Sequence, residues 1–163
     1  MLVPLTKGLA TTIDDSDAER VSGHVWRAHR ATTARENWYA YTKINGKKVY
    51  LHRFLTDAPK GLDVDHIDGD GLNNRRENMR VCTRSQNNQN SIQFAKINGY
   101  RGVCYHADRK KMQFSACVWI KRKRIRLGYF ATEELAASAR DEGARRVYGD
   151  CFRANAVPEG LHQ

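Results

Sequence analysis

Residues 62–90 read LDVDHIDGDGLNNRRENMRVCTRSQNNQN. The apolar and acidic residues of LDVDHI (62–67) alternate as in a short strand or extended piece. Residues 68–77, DGDGLNNRRE, form a polar loop, as Gly69, Gly71 and the Asn73–Asn74 pair require. Met79-Arg-Val-Cys-Thr returns as a second short strand. Ser85 is then the expected N-cap of a short helix starting QNNQN. The order is strand, loop, strand, helix, with charged and amide side chains concentrated in the loop and at the helix start.

That constellation contains the parts needed to hydrolyse a phosphodiester. A water must lose a proton near neutral pH, and His66 is the side chain matched to that task. A divalent cation must offset charge on the phosphate and the departing oxygen. Magnesium takes hard oxygen ligands and keeps several waters, so Asp65 and one downstream Asn carbonyl suffice. An Asn amide can set the direction of the His ring. A calcium-loop reading fails, because the twelfth residue counted from Asp65 is Arg76 and from Asp68 is Met79, where a Glu is needed.

Upstream, Tyr39-Ala-Tyr-Thr-Lys-Ile and Lys47-Lys-Val-Tyr-Leu-His flank Asn45-Gly46, a strong hairpin signal. Residues 38–44 and 47–54 are predicted as paired strands, and 1–20 as an irregular or short-strand entry. LHRFL and the 62–90 stretch together closely resemble the HNH endonuclease family with its ββα-metal fold, in the branch found in phage and intron-encoded homing enzymes. The resemblance spans about residues 48–92. It implies His66 as general base, Asn78 as the residue that holds the His66 ring, and Asp65 and Asn87 as ligands of Mg²⁺ (or Mn²⁺), with Asn88 and Asn90 close to Asn87 in sequence. His52 is a supporting or phosphate-contacting candidate. Arg75, Arg76, Arg80 and Arg84 suit phosphate contacts. The family chemistry leaves a 3′-hydroxyl and a 5′-phosphate.

The character changes near residue 95. Residues 96–126 hold ten Lys or Arg and one acid, Asp108. Tyr100–Tyr105, Gln113–Ile120 and Arg124–Phe130 read as three strands. Thr132 then caps a helix, EELAASARDEGARRVYG, closed by Gly149, with Leu135, Ala136, Ala139 and Val147 on one face. On 113–120, Phe114, Ala116, Val118 and Ile120 are expected to face the helix, as are Ile125 and Leu127 on the next strand. Trp119, Arg101, Arg124 and Arg126 are then expected on the outer, DNA-contacting face. The order of these residues over 98–156 resembles the AP2 DNA-binding domain, with Cys104 and Arg126 where that family usually has Arg and Trp.

The predicted fold class is α+β: a ββα-metal nuclease module over residues 1–95, then a three-stranded sheet plus helix over 96–163. Composition agrees with a folded chain, at 163 residues and 40% hydrophobic. A net charge of +10 and a pI near 9.7 suit a polyanionic partner, here double-stranded DNA. No membrane span or secretory leader is read from the sequence, and no protein partner is required. Cys82, Cys104, Cys117 and Cys151 have no zinc-type spacing, so no structural zinc is expected. The expected location is the cytoplasm, that of a bacterial host if the gene is phage-borne. The rival reading is a DNA-binding regulator with a silent nuclease half.

Overall fold

Asn45 and Gly46 both take positive φ, 50° and 74°, as a two-residue hairpin turn of mirror-image type demands. They join β4 (Trp38–Ile44) to β5 (Lys47–Tyr50), and β3 (Arg27–Arg30) pairs on the other edge of β4. The structure, a computed structural model, describes residues 1–31, 37–90, 99–121 and 123–156. The chain divides into two compact units, Met1–Asn87 and Asn88–Gln163. The boundary expected at 95/96 falls in residues 91–98, outside the described ones.

In the first unit a small hairpin, β1 (Leu2–Pro4) with β2 (Ala10–Thr12), precedes a one-turn helix, α1 (Ala18–Ser22). The N-terminal entry is thus paired structure. After β5 the chain does not stay extended to residue 54, because Leu51–Thr56 form helix α2. The apolar residues there follow helical spacing: Leu51 and Leu55, i and i+4, are 0% and 1% exposed. They pack with Ile13, Val21, Trp26, Ala40 and Met79 into one core. Burying a Leu or Ile side chain contributes about 1.5–3 kcal/mol each, so this cluster anchors everything around it. Strand β6 (Asp63–His66) pairs antiparallel with β7 (Met79–Cys82), His66 opposite Met79 and Asp65 opposite Arg80.

Helix α3 (Arg84–Asn90) follows, and it begins two residues earlier than expected. Thr83 caps it in place of Ser85. The Thr83 hydroxyl accepts from the Gln86 N–H at 3.3 Å, while Gln86 Oε1 accepts from the Thr83 N–H at 2.9 Å. This is a reciprocal capping box, Thr-x-x-Gln.

In the second unit β8 (Val103–Tyr105), β9 (Phe114–Ile120) and β10 (Lys123–Phe130) form an antiparallel sheet with β9 central. Helix α4 (Glu133–Tyr148) starts at Thr132, whose hydroxyl accepts from the Leu135 N–H. Its buried stripe is Ala136, Ala137, Arg140, Ala144 and Tyr148. Val147, expected inside, is 37% exposed, and so are Ile120, Ile125 and Leu127 at 38–41%. Leu127 nonetheless faces α4 as expected, since a Cβ at Gly143 would meet its side chain at 2.5 Å, and a register shift follows between Arg126 and Gly128. No described helix is long and apolar enough to cross a membrane.

Candidate active site

His66 ends β6 and is 6% exposed. Its Nε2 lies 3.3 Å from Asn74 Oδ1. The amide of Asn74 can be oriented from its other contacts. Its second terminal atom faces the Gly71 carbonyl at 3.3 Å and the Thr11 hydroxyl at 2.8 Å. A carbonyl only accepts, so that atom is the NH₂ and the oxygen faces His66. His66 Nε2 must then carry the proton, and in the neutral ring Nδ1 is the basic nitrogen. Burial holds the His66 pKa below its ordinary value, opposed by the Asn74 bond and then by Asp68, Asp65 and Asp70. A ring that stays neutral near pH 7 is able to accept a proton.

Asn78, expected on the His66 ring, is instead the clamp of the loop. Its Oδ1 accepts from the Asp68 N–H at 3.1 Å, and its Nδ2 donates to Asp68 Oδ1 at 3.0 Å and the Asn73 carbonyl at 2.8 Å. The ring contact belongs to Asn74, which turn chemistry alone had been expected to explain. Nothing local separates the two amides. The distinguishing partner, Thr11, is 63 positions away. Asp68 and Asp70 fold the loop on itself through bonds to the Asp70 and Leu72 N–H groups. Burial alone would raise Asp68, but the bonds from Asp70, Asn73 and Asn78 hold its pKa below the usual carboxylate value.

Two further supports come from outside the 62–90 stretch. Asn37 donates to the Gly69 carbonyl at 3.0 Å and accepts from the Gly71 N–H at 3.1 Å. Gly71 must be glycine, because a Cβ there would sit 2.4 Å from the Trp38 carbonyl and 2.5 Å from the Tyr39 ring.

Asp65 is 6% exposed and takes both Nε and the second guanidinium nitrogen of Arg80, at 2.8 and 2.7 Å. This corrects Arg80 as a phosphate contact: its side chain is 15% exposed and committed to Asp65. Arg76 is likewise paired, with Nε 2.9 Å from Asp17, a carboxylate that is 1% exposed. Arg75 lies 3.9 Å from Glu77 with half of its side chain exposed. Asn87, on α3, donates Nδ2 to Asp63 Oδ2 at 3.0 Å, and Arg84 reaches the same oxygen at 3.1 Å. Asp63, two residues before Asp65 on β6, therefore joins the set although the sequence reading did not select it; its i, i+2 spacing from Asp65 was the available signal.

The donors on offer are carboxylate and amide oxygens from Asp63, Asp65 and Asn87, with Asn87 presenting Oδ1 once Nδ2 faces Asp63. Such a hard-oxygen set fits Mg²⁺ or Mn²⁺. Among the described residues no three His, Cys, Asp or Glu side chains form a metal cluster.

His52, on α2, stands edge-on to His66 with ring centroids 5.3 Å apart and stacks on Tyr50 at 5.4 Å. Burial, then the neighbouring His66 and Arg53, pushes its pKa down to about 3, so it is neutral. Among the described residues its Nδ1 is buried with no hydrogen-bond partner. His52, Asp63, Arg84 and Asn87 line a cavity of 410 Å³ together with Tyr39 and Tyr50.

In the second unit Trp119 is 51% exposed and sits opposite exposed Arg124, while exposed Arg126 contacts the Tyr129 hydroxyl. Arg101 is not on that outer face. It is 9% exposed, donates to the Gln89 carbonyl, and burial beside Arg140 and Arg153 pushes its pKa down to about 10. The correction follows from Gly102, whose φ of +73° turns the chain just before β8, so strand parity does not extend back to residue 101.

Residues 50–89 match the model of a family described as HNH endonuclease. Over 69 residues the chain is 32% identical to YosQ of Bacillus subtilis (strain 168), named for an SPbeta prophage origin and an HNH homing endonuclease assignment; the match covers 39% of this chain and 40% of that protein. Over 116 residues it is 28% identical to an uncharacterized HNH endonuclease of Acanthamoeba polyphaga mimivirus, covering 68% and 59%. The chain thus spans 40% and 59% of the lengths of these relatives. No solved structure gives a match. The family match around His66 and the two named relatives support a nuclease, with its HNH endonuclease segment at residues 50–89.

Proposed function

We propose that the chain is a Mg²⁺-dependent (or Mn²⁺-dependent) DNA endonuclease of the homing type, in which the first unit cuts and the second, AP2-like unit grips duplex DNA. The observation that carries the reading is the Asn74–His66 contact, which leaves Nδ1 as a buried, neutral base on the same strand as the cation-suited carboxylates Asp63 and Asp65. His66 Nδ1 takes a proton from the attacking water. The water oxygen bonds to phosphorus, the bond to the 3′ oxygen breaks, and that oxygen leaves as the 3′-hydroxyl after gaining a proton from solvent. Asp65 and Asn87 would hold the metal, and Asp63 fixes the Asn87 amide through its Nδ2, which leaves Oδ1 as the ligand atom. Bound Mg²⁺ offsets charge on the phosphate and the leaving oxygen. Asn78 keeps the 66–78 loop closed so that the His66 ring does not swing.

Trp119, Arg124 and Arg126, with Arg75 and Arg84 on the first unit, are the proposed DNA contacts. Arg80 and Arg101 act instead as internal braces, and Arg76, half exposed, is tied at the surface to buried Asp17. The test is nicking of supercoiled plasmid with Mg²⁺, with EDTA, and with His66→Ala. Nicking lost in both controls is expected. A His66→Ala protein that cuts at the parent rate would overturn the mechanism, and binding without any nicking would favour the regulator reading.

A further inference from the structure

We propose that the outward face of the β3–β4–β5 sheet is a second duplex-contact surface, taking the phosphates of the DNA arm that flanks the cleaved bond. This rests on the endonuclease reading. Strand parity divides the sheet. Ala28, Ala40 and Thr42 turn to the core and are buried. Arg27, Tyr41 and Tyr50 form one cross-strand row on the opposite face, His29 and Tyr39 the next, and Lys43 and Lys48 the third. Arg27, Lys43 and Lys48 are exposed. The three strands contain no Asp or Glu.

A lysine lying over aromatic rings often does no more than cover apolar surface. Two observations go against that reading. First, the positive potential is felt on the face itself: His29 sits below its ordinary pKa through burial, then through Lys48 and Lys7. Second, one of the cations is held in place. The Lys48 ammonium lies 4.4 Å from the Tyr41 ring centroid and 4.8 Å from that of Tyr50. A cation fixed over two rings, on strands that contain no Asp or Glu, is complementary to a phosphate.

The face also leads to the candidate site. Tyr50 stacks on His52, and Tyr39 lies 5.6 Å from His52 and 6.0 Å from His66. His29, Tyr39 and Tyr50 line the same cavity as Asp63 and Asn87. From Lys43 to Tyr39 the strand spans about 14 Å, roughly the rise of four base pairs. A DNA strand entering over Lys43 and Lys48 therefore arrives at His66 after about four nucleotides.

The test uses the full chain carrying His66→Ala, so that binding is read without cleavage. Affinity for a mixed-sequence duplex is measured by fluorescence anisotropy across a salt series. Adding Arg27→Ala, Lys43→Ala and Lys48→Ala is expected to lower the magnitude of the log–log salt slope by about 2.7, from about 0.9 per phosphate contact. Thermal melting of the triple variant should match the parent, and Lys60→Ala, outside this face, should leave the slope unchanged. An unchanged slope in the triple variant overturns the proposal, while plasmid nicking by the parent chain still stands. Tighter binding of polyglutamate than of the duplex, lost in the triple variant, overturns it in favour of an acidic protein segment.

Discussion

Asn74→Ala separates a base-positioning role from a merely structural one. The substitution removes three hydrogen bonds at a residue that is 0% exposed, to His66 Nε2, Thr11 Oγ1 and the Gly71 carbonyl. At about 1 kcal/mol each, the loss of stability is about 3 kcal/mol. Even a domain with only about 5 kcal/mol of stability would retain about 2, leaving about 97% of molecules folded. Unfolding therefore removes only a few per cent of the rate. Losing the partner that fixes a functional imidazole costs about 10- to 100-fold. The expected result is a nicking rate down by that factor at saturating Mg²⁺, with urea unfolding showing the smaller stability loss. Thr11→Val keeps the volume, removes the bonds of the Thr11 hydroxyl to Asn74 and to the Leu72 carbonyl, and should fall between the parent and Asn74→Ala by both measures. Nitrogen chemical shifts of His66 should report the Nε2-protonated form in the parent and a mixture in Asn74→Ala. A variant that loses the stability and nicks at the parent rate would refute the positioning argument.

Thr83→Ala breaks the capping box of α3 and should cost about 1 kcal/mol in urea unfolding. Because α3 carries Asn87, half-saturating Mg²⁺ for nicking should rise, and an unchanged Mg²⁺ dependence would separate Asn87 from the metal. Arg80→Ala leaves a buried carboxylate without its cation, so stability in EDTA should drop by about 3 kcal/mol or more. Added Mg²⁺ should restore part of that stability if Asp65 is a ligand, and a calorimetric scan showing no rescue would count against it. His52 is held neutral, with its folded pKa, about 3, below the unfolded value of about 6.5. Its contribution is complete above pH 6.5 and lost as pH falls towards 3, on the order of 3 kcal/mol by about pH 4. His52→Phe should flatten that acid limb of the stability curve, and an unaltered limb would contradict the burial argument.

Local chemistry made the hairpin at Asn45–Gly46, the 68–77 loop and the capped helix after Thr132 readable, because each depends on a few adjacent residues. Helix α2 reads as strand in the sequence because Tyr50 and Leu51 continue a β-rich run, and only the Leu51–Leu55 burial shows the change of period. In the stripe of α4 the sequence pattern marks Ala136, with Ala139 packed beside the core, but not Ala137, Arg140, Ala144 or Tyr148, which hydropathy does not single out. At the site, His66, Asp65 and the helix start were legible as residue types. Partners were not. Arg76, Arg80 and Arg101 look like free solvent-facing cations in sequence; Asp17, 59 positions away, ties down the still exposed Arg76, while the cross-strand register that sets Arg80 against Asp65 and the turn at Gly102 make Arg80 and Arg101 internal.

The same distinction applies to the extent of the active unit. Residues 50–89 define the family match, yet the loop they contain is rich in Gly and Asn and is expensive to hold in one conformation. Its own short β6–β7 pairing fixes only its two ends. The middle is held from elsewhere. The Thr11 hydroxyl and the Thr12 N–H both donate to the Leu72 carbonyl at 2.7 and 2.9 Å, and the Asn74 N–H donates to the Thr12 carbonyl at 2.8 Å. The Arg76 N–H donates to Asp14 at 2.7 Å, and Asn37 bridges Gly69 and Gly71. Ile13 and Trp26 complete the core under α2, which carries His52 beside His66. The direction in which His66 presents its base is therefore a property of the first unit from its N-terminal hairpin onward, and the motif supplies the reacting groups to a frame built largely outside it.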